Sequence, residues 1–61
     1  MDIIGAIIQY EQGELPEEDT LELFQELVNN GMAWSLQGHY GRVTTQLLES
    51  GAISPPDVRY G

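Results

Sequence analysis

Apolar residues return at helical spacing in three separate stretches of this chain. The clearest is the stretch after Pro16, where positions 20/21, 23, 24, 27 and 28 make one stripe and acids fill the opposite side. That i, i+3, i+4 pattern predicts an amphipathic helix over residues 16–30. Pro16 suits its first turn, where a backbone N–H has no intrahelical acceptor anyway. Glu17, Glu18 and Asp19 follow at the positive end of the helix dipole, and Asn29-Asn30-Gly31 is a stop.

Ile3, Ile4, Ile7 and Ile8 predict an earlier helix over 2–11, with those four residues on one face. Strict alternation, the mark of a strand, is missing, and Ala6 and Gln9 suit a helix. Gly5 weakens it by about 1 kcal/mol relative to alanine, and Gly13 is placed to cap it. A third helix is expected over 39–50, burying Tyr40, Val43, Thr44, Leu47 and Leu48 and ending at Ser50-Gly51. Between the second and third, Met32–Gln37 is long enough for one helical turn, expected to pack Trp34 and Leu36 inward. Pro55 and Pro56 forbid regular helix beyond Ser54. The expected fold is therefore all-α: a single three-helix domain over 1–53, with a short helical turn near Trp34 and an extended, proline-rich tail over 54–61. No repeat or interdomain linker interrupts it.

Size makes that domain marginal. A chain of 61 residues buries only about 60% of the surface its unfolded form exposes, and small domains usually add a staple or a partner. Cysteine is absent, which excludes disulfides and thiolate zinc sites, and the single histidine, His39, is too few for a transition-metal centre unless several carboxylates converge on it. No metal or cofactor is expected.

Charge narrows the partners. Ten acids face only Arg42 and Arg59, with no lysine, for a net charge of -8. Such a chain is repelled by nucleic acid and by anionic membranes, so direct binding to either is not expected. A protein partner should present a basic surface. The start of the chain lacks the basic region of a signal peptide and carries Asp2 and Glu11 around a short apolar run. No segment approaches the roughly 20 apolar residues of a membrane span. The expectation is a cytoplasmic protein.

Two groups of residues are candidates for function. Seven of the ten acids lie between Glu11 and Glu26, and Glu18, Glu22 and Glu26 repeat every fourth residue, about one carboxylate per 6 Å of helix. With Glu14, Glu17 and Asp19 they form an acidic face that ordinary helices would relieve with lysine. It is either a solvated face that keeps a small protein soluble or a docking surface, including one that stands in for nucleic-acid phosphates on a basic groove. The second group is Gly38-His39-Tyr40-Gly41-Arg42. As a recognition turn it would project His39, Tyr40 and Arg42 outward, with Arg42 and helix amides holding an anion. As a structural turn it would place Tyr40 in the core and pair Arg42 with the acidic second helix, and the surplus of acids favours that reading. His39 beside Glu14 or Glu18 would imitate a catalytic pair, but no nucleophile motif accompanies it, and no catalytic residue is expected.

The stretch from Glu14 to about Ile53 also carries a resemblance. Asp19-Thr20-Leu21-Glu22-Leu23-Phe24-Gln25-Glu26-Leu27-Val28, Gly31, Ala33-Trp34, Leu36-Gln37-Gly38, Tyr40-Gly41-Arg42 and Leu47-Leu48-Glu49-Ser50-Gly51 resemble a family of very short tailed-bacteriophage proteins. Tyr10–Leu15 fits the same pattern; Val43-Thr44 departs from it, and the Pro-Pro tail is particular to this chain. The resemblance implies a phage origin and a role inside the infected cell, but no activity. Small acidic phage proteins as a class often bind host enzymes or defence complexes. The expectation is thus a non-enzymatic accessory protein of the host cytoplasm. It would bind and modulate a host protein, or a defence or nucleic-acid-handling complex, through its acidic face, with inhibition the favoured mode. The alternative is a minor virion subunit, associated with capsid or tail and contacting its lattice through the isoleucine face and the proline-rich tail. A homo-oligomer, in which the first helix completes a neighbour's core, is a third possibility.

Overall fold

The computed structural model describes residues 2–56. Helix α1 spans Ile3–Glu11, α2 spans Glu17–Asn29 and α3 spans Gly38–Ser50, with a 3-10 turn at Met32–Trp34 between the last two. The described residues contain no strand. Each helix starts within two residues of its expected position. Pro16 stands just before α2 with ψ 156°, as its N-cap and not inside the first turn. None of the described helices is long and apolar enough to cross a membrane.

Helix α2 is the axis of the molecule, with α1 packed on one side and the 3-10 turn joining it to α3 on the other. Leu23, Phe24, Leu27 and Val28 are buried along its inner stripe. Fully burying a side chain of this size stabilises by about 1.5–3 kcal/mol. Tyr10 meets Phe24 edge to face with ring centroids 5.3 Å apart, and Tyr40 lies 6.0 Å from Phe24 on another side. Ala6, Ala33 and Ile53 complete the core. Ile53 reaches it because α3 ends in a reversal: Gly51 takes φ 80°, its N–H donates to Leu48 O, and Ala52 N–H donates to Leu47 O. This paired arrangement satisfies the last carbonyls and needs the left-handed conformation that glycine adopts without strain. Gln25 then holds the outgoing chain, accepting from Ser54 N–H at 2.8 Å and donating to Ser54 O at 3.0 Å. Ser54, Pro55 and Pro56 continue without helix; the rest of the expected tail lies outside the described residues.

Two packing expectations are overturned. On α1, only Ile3 and Ile7 turn toward the core, together with Ala6 and Tyr10; Ile4 is 70% exposed and Ile8 50% exposed. At 100° per residue, positions 3, 6, 7 and 10 share one face, and Ile4 and Ile8 fall beside it. Trp34 is the second correction, at 57% exposure. One ring edge rests over Gly41, where a Cβ would lie 3.7 Å from it, and the remainder faces solvent. The three-residue turn has room for one inward side chain, and Ala33 occupies that position.

Candidate functional site

The acidic face forms as its spacing requires. Glu14, Glu17, Glu18, Asp19, Glu22 and Glu26 are all exposed. Because 3.6 residues make a turn, Glu18, Glu22 and Glu26 stand in a row about 6 Å apart on the side of α2 opposite Leu23 and Leu27. No basic residue occupies the last turn of α2. The only described arginine is Arg42, on α3 and not on this face. Its guanidinium lies back over Gly38, within 4.0 Å of where a Cβ would stand. The expected pairing of Arg42 with α2 is therefore not formed. Side chains on a helix tilt toward its N-terminus, so Arg42 falls onto its own first turn. The acidic row has no cationic partner among the described residues.

Packing α1 against α2 extends the acidic surface into an open cleft of about 380 Å³. Asp2, Gly5, Ala6 and Gln9 form one wall, and Leu15, Asp19 and Glu22 the other. Asp2 carries its carboxylate over Gly5, in the space a Cβ there would fill. The sequence offered no sign of Asp2 as a member of this surface, since only the helix crossing brings it opposite Asp19 and Glu22. Among the described residues no group of three or more histidine or carboxylate side chains is close enough to hold a metal ion.

The segment Gly38–Arg42 is the first turn of α3, and its three candidate residues separate. Tyr40 points into the core at 3% exposure, so it is not a surface recognition residue. Its hydroxyl donates to Glu11 Oε2 at 2.6 Å. Next to it, Tyr10 and His39 are joined by a hydrogen bond of 2.6 Å, with their rings stacked 5.8 Å apart. Two adjacent residues of α1 thus clasp two adjacent residues of α3. Burial raises the Tyr40 phenol well above its usual range, and the Glu11 carboxylate, which accepts its proton and would repel a phenolate, raises it further. Burial also raises Tyr10. His39 and Arg42 stay exposed, but His39 meets tyrosines, not Glu14 or Glu18. The arrangement joins α1 to α3 through two side-chain hydrogen bonds. Tyr10 and Glu11 carry no sequence signal of this role, because a tyrosine and a glutamate at a helix end form no pattern of their own.

With this geometry in place, comparison with known proteins gives one result. A family model described as a domain of unknown function (DUF7417) matches residues 1–58, so the chain belongs to that family. Neither a curated protein nor a solved structure matches it.

Proposed function

We propose that this DUF7417 protein is a non-enzymatic bacteriophage accessory protein that docks the acidic face of α2 on a basic surface of a host protein and inhibits it. The observation that carries this reading is the row Glu18, Glu22 and Glu26, which stands exposed on a rigid helix with no cation beside it among the described residues. Like charges at i, i+4 cost a few tenths of a kcal/mol per pair. A partner bringing lysines or arginines removes that cost and gains complementarity, which raises association rate and sharpens specificity. Basic grooves that normally receive phosphates are surfaces of this kind, which favours a nucleic-acid-handling or defence protein as the target. The phage setting and the host cytoplasm rest on the sequence resemblance.

The test is capture from host lysate with the tagged protein at low and moderate salt, run beside the variant Glu18→Lys/Glu22→Lys/Glu26→Lys. The proposal expects a basic host protein that is retained by the wild type at low salt, released as salt rises, and not retained by the variant. Recovery of phage structural proteins alone, with the protein present in purified particles at fixed copy number, would establish the virion role instead.

A further inference from the structure

Helix α1 leaves an apolar face without a partner among the described residues. Ile4 and Ile8, 70% and 50% exposed, lie one turn apart and so stack on the same side of the helix. Around the helix from Ile8 come Gly5, then Gln9 and Ala6, at 100° per residue. Gly5, Gln9 and Ala6 already line the cleft, with Asp2, Asp19 and Glu22 as its carboxylates and Ala6 and Leu15 as its apolar lining. Between the isoleucine ridge and the cleft stands a glycine with the Asp2 carboxylate lying over it, so a long cationic side chain that crosses there meets that carboxylate.

From this juxtaposition we infer that α1 and its cleft are the docking site for a basic amphipathic helix of the partner. Its apolar stripe lies along Ile4 and Ile8, and a flanking lysine or arginine passes over Gly5. The alkyl stem of that side chain lies against Ala6 and Leu15 while the charged head meets Asp2, Asp19 and Glu22. The inference rests on the acidic-docking reading above and names the form of the partner segment. Charge complementarity selects this occupant. The cleft presents three carboxylates and no cation among its lining residues. A second copy of the chain would bring another net charge of -8 against the first. Two isoleucines also expose far less than the roughly 800 Å² per partner of a standard interface.

The experiment titrates the full chain with two labelled synthetic peptides of identical leucine and lysine composition. One has its leucines on a single helical stripe and the other has them scattered around the helix. The striped peptide is expected to bind about tenfold tighter, a difference of about 1.4 kcal/mol. The surface variant Ile4→Ser/Ile8→Ser should erase that preference while its circular dichroism and melting stay like the wild type's. Asp2→Asn/Asp19→Asn/Glu22→Gln should weaken the striped peptide and reduce its salt dependence. Equal affinity for the two peptides, or striped-peptide binding that ignores the isoleucine variant, overturns the inference. If both peptides then still bind in a salt-sensitive way that Glu18→Lys/Glu22→Lys/Glu26→Lys abolishes, acidic docking survives without α1. If neither peptide binds at low salt, both readings fall.

Discussion

The clasp between α1 and α3 gives a stability prediction that can be worked through. Replacing Tyr40 by phenylalanine keeps the ring against Phe24, 6.0 Å away, and deletes only the hydroxyl that donates to Glu11 Oε2 at 2.6 Å. A hydrogen bond to a charged group contributes about 1.5–3 kcal/mol when well shielded. Glu11 itself is exposed, so water competes for its carboxylate and the expected loss drops to about 1–1.5 kcal/mol. In a domain this small, 1 kcal/mol moves the melting temperature by about 8 °C. Tyr40→Phe should therefore melt about 8–12 °C lower. Thermal unfolding followed by circular dichroism at neutral pH measures it. Tyr40→Phe, Glu11→Gln and the double variant together separate the bond from the effect of removing one negative charge on a strongly acidic chain. A coupling of about 1 kcal/mol is expected; a value below about 0.3 kcal/mol, the usual error of additivity, would show that the two residues do not act together.

Three further outcomes follow from the packing. Both tyrosines of the clasp hold their phenolic protons more tightly folded than unfolded, so their stabilisation is complete below the ordinary phenol value of about 10 and is lost as pH rises beyond it, by up to about 1.4 kcal/mol per pH unit per group. Denaturant titrations across the alkaline range should show this slope, and Tyr10→Phe/Tyr40→Phe should remove it; an unchanged slope in that variant contradicts the clasp. Thr44 is fully buried and its hydroxyl has no hydrogen-bond partner among the described residues, so Thr44→Val should raise stability by about 1 kcal/mol, and a loss would mean that the hydroxyl is satisfied in solution. Trp34 should be quenched freely by acrylamide, and Trp34→Ala should cost about 1 kcal/mol against the 3–5 of a buried aromatic; a blue-shifted, protected emission would restore it to the core.

How far the sequence exposes this structure varies by element. Helix α2 is legible from end to end because Pro16, the Glu17–Asp19 acids, the apolar stripe and the Asn29–Gly31 stop all agree. Helix α3 is legible for the same reason, down to the burial of Tyr40 and Thr44. In α1 the four isoleucines have equal claims to the interior, and only the direction from which α2 approaches separates Ile3 and Ile7 from Ile4 and Ile8. Trp34 misleads because a large apolar side chain is normally core, whereas a 3-10 turn this short gives its inward place to the smaller Ala33. The acidic row could be read directly, since periodicity on one helix fixes it. Arg42 could not, because its reach to α2 depends on where α3 starts and which way its side chains tilt. The cleft was equally hidden: Asp2 lies 17 positions before Asp19, and nothing local announces that they face each other.

The most direct test of the account is the salt dependence of affinity for the captured partner, measured with the wild type and with Glu18→Lys/Glu22→Lys/Glu26→Lys. If the acidic face of α2 is the working surface, wild-type affinity falls steeply as salt rises. The variant, folded by circular dichroism, then binds at least about tenfold more weakly with a much flatter slope. Equal affinities and equal slopes for the two proteins would show that the carboxylate row is a solvated face and that the partner is held elsewhere.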